Sequence, residues 1–304
     1  MNENKSCRDG FGRALMELGN SKKIVALSAD LSPSVRMNYF KKKYPHRYFD
    51  VGVAEQNLVC VASGLAHIGK VPFISSFGAF CPGRCWEQIK TTIAYNNNNV
   101  KIIASHCGLD VGPDGATHQM LEDISLMRSI PNMIVIVPCD YEQSRKATLA
   151  ISKVNSPCYM RFGRSSTPLL TKSRSAFKIG KAQVLKKGKD ILVIGCGPVL
   201  KIALDASKKT EKSLMIVNMH TIKPLDESFL RKILCKFDKI ITIEDHQIEG
   251  GLGSAIAEFV SQIKPCKIIR MGVNNSFGES GTKDELYKKH GLHIDNLLNI
   301  LSKI

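Results

Sequence analysis

The sequence predicts an α/β protein built from two three-layer αβα domains, and three observations lead to this fold class. The chain has 304 residues, which is too long for one ordinary compact domain and suits two. Short apolar runs rich in β-branched residues alternate with segments of helical periodicity along most of its length. A polar stretch interrupts this alternation near the middle of the chain, and the same pattern then begins again.

In the first half, five short apolar runs have the length and composition of buried strands. These predicted strands are residues 24–28, 71–75, 100–105, 133–137 and 158–162. Four segments with helical spacing of apolar residues lie between them, at residues 54–68, 82–95, 119–129 and 141–154. This alternation predicts a mostly parallel sheet with helices on both faces and with functional loops at one end.

The second half follows a polar stretch, residues 163–178, that has the composition of an interdomain linker. Four further strands are predicted after it, at residues 191–195, 214–217, 239–243 and 267–270. Predicted helices separate and follow them, at residues 199–208, 226–235, 254–263 and 283–290. The second half is therefore expected to form a smaller α/β domain.

Composition and charge exclude several classes of protein. With 43% hydrophobic and 23% charged residues, the chain can bury sizeable cores, but no apolar stretch approaches the ~20 residues of a membrane span. The first ten residues are too polar for a secretory signal, and the ten cysteines are scattered in a way that predicts buried thiols in a reducing compartment. We therefore expect a soluble, cytoplasmic protein.

The net charge of +16 raises the question of nucleic-acid binding. The lysines form short separate runs without interleaved aromatic residues, at positions 41–43, 186–189 and 208–209. This pattern favours a solvated lysine-rich surface over a nucleic-acid interface. Such a surface could also attract an acidic partner subunit or anionic substrates.

Two short stretches place chemically notable side chains at the ends of predicted elements. One has a carboxylate at the start of a helix, and the other has two aromatic rings after a strand. Residues 50–57 place Glu55 at the start of an apolar helix, where a carboxylate can serve simply to complement the helix dipole. Phe77 and Phe80 follow a predicted strand, and such a pair taken alone is more often part of a core than of a pocket.

The third unusual stretch is a long glycine-rich connection, residues 106–119, which follows a predicted strand. It contains His106, Asp114 and His118. A connection of this length and composition inside a compact domain is more often functional than structural.

The order and spacing of these stretches resemble transketolase, specifically its pyrimidine-binding domain and its C-terminal domain, over essentially the whole chain. The shared motifs are Gly-Val-Ala-Glu-Gln-Asn, Ser-Phe-x-x-Phe, Val-Gly-x-Asp-Gly-x-Thr-His-Gln and Arg-Ser-Ile-Pro-Asn-Met. The second half adds Glu-Asp-His-x-x-x-Gly-Gly-Leu-Gly. The resemblance implies a pyrimidine-binding domain at residues 1–165, a linker at 166–178 and a transketolase C-terminal domain at 179–304.

This resemblance implies thiamine diphosphate as the cofactor. Glu55 would share a proton with the pyrimidine ring nitrogen, which requires a dry site and a raised pKa of the carboxyl group. Phe77 and Phe80 would line the pyrimidine ring, and Asp30 matches a family position close to the cofactor. The family often has a further aromatic residue where this chain has Gly83.

Substrate residues are carried over in the same way. His106 would contact the hydroxyls of a bound sugar, Asp114 would contact the hydroxyl next to the reacting carbon, and His118 would lie near that carbon or the substrate phosphate. Three further residues match the family's phosphate clamp, and these are Arg161, Arg8 and Ser34. Two guanidiniums and a hydroxyl suit a phosphate dianion because arginine offers paired donors.

The sequence has no Gly-Asp-Gly motif of the kind that binds the cofactor diphosphate and Mg²⁺ in full-length transketolase. The resemblance therefore implies a separate N-terminal transketolase subunit. This subunit would carry the diphosphate half and provide most of the ligands to Mg²⁺. We expect an α2β2 assembly that transfers a two-carbon ketol unit between sugar phosphates, with transketolase (EC 2.2.1.1) as its activity.

Three alternatives remain at this stage. A split 1-deoxyxylulose-5-phosphate synthase shares the context of Glu55 but normally has Arg in place of His106 and Phe-Asp in place of Glu122-Asp123. The β subunit of a 2-oxo-acid dehydrogenase typically lacks the Asp-Gly-x-Thr-His run. A non-catalytic assembly or regulatory subunit has no need of these polar and aromatic residues.

Overall fold

The computed structural model describes residues 4–304, so residues 1–3 of the predicted first domain lie outside the described part. No helix within that part combines the length and the apolar composition that a membrane span requires. All ten cysteines are free thiols, of which Cys60 and Cys235 are exposed and Cys266 is partly exposed. The other seven cysteines are buried, which agrees with the prediction of buried thiols.

Two sheets form the centre of the two domains, and a third, two-stranded sheet joins the chain start to the linker. The strands of the described residues are β1 (Lys5–Ser6), β2 (Ile24–Ser28), β3 (Tyr48–Asp50), β4 (Val71–Phe77), β5 (Lys101–Ser105), β6 (Ile134–Ile136), β7 (Cys158–Arg161), β8 (Ser166–Thr167), β9 (Gln183–Lys186), β10 (Ile191–Gly195), β11 (Leu214–Asn218), β12 (Thr221–Lys223), β13 (Ile240–Gln247) and β14 (Ile268–Val273).

The helices cover both faces of the two large sheets. They are α1 (Cys7–Leu18), α2 (Asn38–Lys43), α3 (Glu55–His67), α4 (Trp86–Gln88), α5 (Asp123–Ser129), α6 (Tyr141–Ile151), α7 (Leu200–Ala206), α8 (Glu227–Leu234), α9 (Leu252–Ile263), α10 (Lys283–Lys289) and α11 (Ile294–Ser302). A π-helical segment, Ile89–Ala94, continues α4, and a 3₁₀ segment, Leu109–Asp114, lies in the glycine-rich connection.

The first sheet has seven strands in the order β12-β6-β7-β5-β4-β2-β3, and all neighbours are parallel except β12 and β6. Alternate residues of β2 face opposite sides: Val25 and Leu27 pack in the core that contains α3, whereas Ile24 and Ala26 pack with α1 and α6. All five residues of β2 are buried, as expected for a strand covered on both faces.

The second sheet has five strands in the order β14-β13-β10-β11-β9, with β9 antiparallel to β11. The other three pairings are parallel, which agrees with the predicted α/β fold of the second half. β12 leaves this domain and pairs with β6, so a segment of the second half completes the edge of the first sheet.

The predicted linker is fixed along the side of the first domain. β8 pairs antiparallel with β1, in the register Lys5 with Thr167 and Ser6 with Ser166. Farther on, the carboxylate of Asp140 accepts hydrogen bonds from the backbone N–H groups of Leu170 and Thr171 at 2.8 and 2.6 Å. Backbone hydrogen bonds of the linker therefore hold it against the first domain.

Candidate active site

The predicted cofactor and substrate residues come together at the carboxyl edge of the first sheet. Phe77 ends β4, His106 follows β5 and Asp30 follows β2, and these three strands are neighbours. The carboxyl ends of parallel strands meet at one edge of a sheet, and α/β proteins bind their ligands in the crevice outside that edge. The sheet therefore presents these residues where a ligand site is expected.

Glu55 is the first residue of α3, and its side chain is only 1% exposed. Nη1 of Arg84 donates a hydrogen bond to Glu55 Oε2 at 2.7 Å, and Ser76 Oγ lies 3.5 Å from Oε1. A buried carboxylate needs such a partner charge, and the N-terminus of a helix also favours a negative charge. The Arg84 side chain is half exposed, so this ion pair lies at the boundary between the core and an open site.

Two phenylalanines and two histidines form a continuous aromatic group beside this ion pair. The rings of Phe77 and Phe80 lie 6.0 Å apart at an angle of 18°. Phe77 stacks on the imidazole of His106 at 3.7 Å, and Phe80 meets His118 edge-on at 5.4 Å. The Arg84 guanidinium lies 4.9 Å from the centre of the Phe80 ring. These contacts join the partner of the buried carboxylate to both histidines.

His106 is buried and adopts a left-handed backbone conformation with φ of 56°. Ser105 Oγ lies 2.8 Å from its Nδ1 and fixes the ring. Burial lowers the pKa of His106 from 6.5 to about 3, and the charges of Arg8, Arg164 and Arg36 act in the same direction. The imidazole is therefore neutral at physiological pH, which suits hydrogen bonding to hydroxyl groups.

Three arginines and an aspartate lie next to this aromatic group. Arg8 donates from Nη1 to the carbonyl of Ser34 at 2.8 Å and from Nη2 to the carbonyl of Arg164 at 2.7 Å. Nη1 of Arg164 lies 3.4 Å from a carboxylate oxygen of Asp114. Burial lowers the pKa of Arg8, with the charges of Arg36 and Arg164 also lowering it. Such clustered guanidiniums form a site for a strongly charged anion.

The arginine cluster also has an unused donor. Within residues 4–304, Nε of Arg8 is buried and has no hydrogen-bond partner. A buried guanidinium N–H without an acceptor is costly, and an anion bound between the arginines would accept from it.

Two family models match nearly the whole chain. The pyrimidine-binding domain of transketolase matches residues 3–168, and the transketolase C-terminal domain matches residues 180–297. The chain belongs to the transketolase family. This confirms the family and the two-domain α/β fold that the sequence motifs predict.

Transketolase sequences align with nearly the whole chain. A transketolase C-terminal section from Methanocaldococcus jannaschii is 44% identical over 95% of this chain and 92% of that protein. A 6-deoxy-6-sulfo-D-fructose transketolase subunit from a Clostridium species is 37% identical over 94% and 90%. Human transketolase is 34% identical over 95% of this chain, which spans 47% of the human protein.

A solved structure gives the same result. A split gene transketolase, described as an inactive β4 tetramer, superposes with a TM-score of 0.91 at 40% sequence identity. The match covers 98% of this chain and 97% of that one. This chain therefore corresponds to the C-terminal section of a transketolase.

One residue of the predicted phosphate clamp, Arg161, is buried in an ion pair, so its contact with a substrate phosphate stays a prediction. Arg161 is 4% exposed, and its Nε lies 2.9 Å from Oδ2 of the fully buried Asp123. Nη1 of Arg161 donates to the carbonyl of Asp245 at 3.0 Å, so the guanidinium faces the boundary between the two domains. Asp123 therefore neutralises Arg161 inside the protein, which favours a structural role over a contact with a substrate phosphate.

Arg164, which the sequence motifs did not single out, lies close to Arg8: its carbonyl accepts from Arg8 Nη2 at 2.7 Å, and its charge lowers the pKa of Arg8. Its side chain is 43% exposed and reaches Asp114, another of the predicted substrate residues. The run Arg-Phe-Gly-Arg in the sequence contains two arginines, and the motif alone fits either of them to the phosphate clamp.

The remaining two positions concern the cofactor half of the site. Asp30 is exposed with φ of 59°, and its backbone N–H donates to Asp50 Oδ1 at 2.9 Å, so its proximity to a cofactor stays a prediction. At Gly83, where transketolases often have an aromatic residue, a Cβ would lie 2.2 Å from the carbonyl oxygen of Ala79. This contact with the backbone excludes a side chain at Gly83. The next residue, Arg84, directs its side chain to Glu55.

Proposed function

We propose that this chain is one subunit of a two-subunit transketolase, which transfers a two-carbon ketol unit from a ketose phosphate to an aldose phosphate. The observation that carries the proposal is the buried carboxylate of Glu55 beside Phe77, Phe80 and both histidines at the carboxyl edge of the sheet. Membership of the family implies thiamine diphosphate as the cofactor. We also propose that Mg²⁺ is bound together with it.

The residues present fit the pyrimidine half of that cofactor. Phe77 and Phe80 offer aromatic surface next to a carboxylate that is shielded from water. When bound, thiamine diphosphate supplies a thiazolium carbon that acts as a nucleophile after losing its proton. Glu55 would hold a proton at the pyrimidine ring nitrogen, and low exposure keeps water from competing for it. Arg84 balances the Glu55 charge and, being half exposed, can move when a ring nitrogen takes its place.

The remaining residues divide between the sugar and its phosphate. Neutral His106 would donate to or accept from sugar hydroxyls, while Asp114 and His118 approach from the glycine-rich connection. Arg8 and Arg164 would hold the phosphate, because their charges lie close enough together to lower the pKa of Arg8 and Arg8 Nε has no partner among the described residues. Ser34 contributes its carbonyl to the position of Arg8.

A partner subunit is the second part of the proposal, in an α2β2 assembly that works in the cytoplasm. Relatives of matching length that are named as a transketolase C-terminal section or as transketolase subunits support a separate chain that would bind the diphosphate and Mg²⁺. α3 presents Glu55 inward and has exposed apolar residues beside both ends, Val53 at 73% and Ile68 at 70% exposure. Exposed apolar groups next to a site favour its completion by another protein surface.

Relatives of this chain are named for different sugar substrates. Relatives include a 6-deoxy-6-sulfo-D-fructose transketolase subunit and an apulose-4-phosphate transketolase subunit. We propose xylulose 5-phosphate and ribose 5-phosphate as the first pair to test, since the arginine cluster suits a phosphorylated acceptor.

The test is reconstitution with the Gly-Asp-Gly-containing chain encoded in the same genome, followed by an assay of ketol transfer with thiamine diphosphate and Mg²⁺. Each chain alone is the control. Calorimetry on this chain alone is expected to show weak cofactor binding, because it provides only the pyrimidine half. Tight stoichiometric binding by the pure chain would contradict the two-chain site.

Parallel assays separate the alternatives. Release of CO₂ from pyruvate with glyceraldehyde 3-phosphate would identify a 1-deoxyxylulose-5-phosphate synthase. A stable complex without turnover of any of these substrates, or of the sulfo- and apulose sugars, would favour a non-catalytic assembly subunit.

A further inference from the structure

The substrate loop, defined here as residues 106–119, is held from the second domain at three residues, Leu109, Asp110 and Gln119. Asp245 lies near the end of β13, and its Oδ1 accepts a hydrogen bond from the backbone N–H of Leu109 at 2.9 Å. Its Oδ2 accepts from the hydroxyl of Tyr287 in α10 at 2.9 Å. One carboxylate therefore joins the beginning of the loop to a helix of the C-terminal domain.

The close approach of this carboxylate explains Gly108. A Cβ at Gly108 would lie 2.1 Å from Asp245 Oδ2, and the residue adopts φ of 83°, which favours glycine. The loop and the carboxylate therefore fit each other only because this position has no side chain.

Two more contacts hold the middle and the end of the loop. Lys283 of α10 forms an ion pair with Asp110 at 3.0 Å, and both side chains are largely shielded from water. Gln119 Nε2 donates to the carbonyl of Glu279 at 2.9 Å. A Cβ at Gly278 would lie 1.7 Å from the Gln119 side-chain oxygen, so the segment before α10 also packs closely on the loop.

These contacts do not involve the side chains proposed to touch substrate. Asp114 and His118 lie between the anchored points, and His106 lies two residues before Gly108. A loop fixed at three points keeps its side chains in one arrangement, whereas a free loop would lose entropy each time it bound a sugar.

We propose that Asp245 and Lys283 are positioning residues through which the C-terminal domain holds the substrate loop in its binding conformation. The proposal rests on the proposed function for its catalytic consequence. The physical coupling between the domain and the loop is independent of that function and is measured separately.

Hydrogen–deuterium exchange of the full chain tests the coupling directly. Asp245→Ala removes both hydrogen bonds, and Lys283→Met removes the ion pair while keeping an apolar stem of similar length. We expect backbone exchange in residues 107–119 to rise by roughly tenfold or more in each variant, since hydrogen bonds to charged groups are lost. Lys288→Met is the matched control, because Lys288 is an exposed lysine of the same helix.

Asp245→Asn provides the conservative variant. Its amide oxygen can accept from Leu109 N–H while its amide nitrogen donates to the Tyr287 oxygen, so both links can form again. We expect Asn to restore slow exchange in the loop and Ala to abolish it. Unchanged loop exchange in both Asp245→Ala and Lys283→Met would overturn the proposal, as would faster exchange spread equally over β2, β4 and β5.

Kinetics of the reconstituted enzyme gives the second readout. Asp245→Ala and Lys283→Met are expected to raise KM for the acceptor sugar about tenfold, with unchanged affinity for thiamine diphosphate. Absence of ketol transfer in the wild-type pair would refute the proposed function and leave the exchange result to decide the coupling. An active wild type whose loop exchange and acceptor KM are untouched by both variants would refute the inference alone.

Discussion

Replacing Arg164 and Arg161 separately by alanine distinguishes a phosphate-binding arginine from a structural one. Arg164 is 43% exposed, and its ion pair with the 36% exposed Asp114 spans 3.4 Å. Losing such a pair costs less than about 1 kcal/mol of folding free energy. A charge-assisted contact to a phosphate contributes roughly 1.5–3 kcal/mol. Arg164→Ala should therefore fold normally and lower kcat/KM for phosphorylated acceptors by about 10- to 150-fold.

Arg161→Ala should have the opposite profile. Arg161 and Asp123 are 4% and 0% exposed and lie 2.9 Å apart, so the variant leaves a buried carboxylate without its partner charge. Tyr159 donates to the same carboxylate at 2.6 Å and compensates only in part. Removing one member of a buried pair costs about 3–5 kcal/mol. We expect a large loss of stability without selectivity between phosphorylated and unphosphorylated acceptors.

The assay compares ribose 5-phosphate with an unphosphorylated aldose in the reconstituted enzyme, and urea unfolding of the chain alone measures stability. The ratio of the two kcat/KM values cancels any loss of correctly folded protein. A selective loss for the phosphorylated acceptor in Arg161→Ala, with none in Arg164→Ala, would refute the reassignment and restore Arg161 to the clamp.

Two further predictions concern Glu55 and His106. Glu55→Gln should assemble normally but slow exchange of the thiazolium proton about 10²- to 10⁴-fold, as measured by hydrogen–deuterium exchange in the complex; a wild-type rate would remove Glu55 from the mechanism. The pKa of His106 is lowered by burial to about 3 from 6.5, so the unfolded chain binds a proton that the folded chain excludes, and stability falls as pH drops below about 6.5. Between pH 7 and pH 5 the wild type should lose about 2 kcal/mol more than His106→Asn in urea unfolding, whereas equal losses would show that His106 does not carry this dependence.

Strands of the sheet interiors were predictable because burial on both faces leaves a plain chemical signature. Ile24–Ser28 and Ile191–Gly195 have the predicted bounds, and every residue in both strands is buried. Short, almost wholly apolar runs rich in β-branched residues have few other stable placements in an α/β protein. The predicted helix at residues 119–129 begins only at Asp123, because Gln119 is held by the carbonyls of Gly112 and Glu279.

The site was predictable where a motif fixes a strand or helix end, and less so where a tertiary partner decides the surroundings of a side chain. Glu55 starts α3 and Phe77 ends β4, so their common location follows from the topology. Arg161 and Arg164 lie three residues apart, and only Arg161 pairs with the buried Asp123, which is 38 residues away in the sequence. Arg84 could not be identified as the partner of Glu55 because the two lie 29 residues apart with no local pattern connecting them.

The two domains also depend on each other in a way that no local pattern indicates. β12 comes from the second half, yet it completes the first sheet at β6, and Lys223 Nζ donates to the carbonyls of Arg128 and Ile130 at 2.9 and 2.6 Å. One continuous apolar core contains Ile102 of the first sheet and Ile194 of the second. A pyrimidine-binding domain without its C-terminal partner would therefore expose an unpaired strand edge and a large apolar face. Because the same interface also anchors the substrate loop, these contacts give a physical reason for a subunit that carries both domains in one chain.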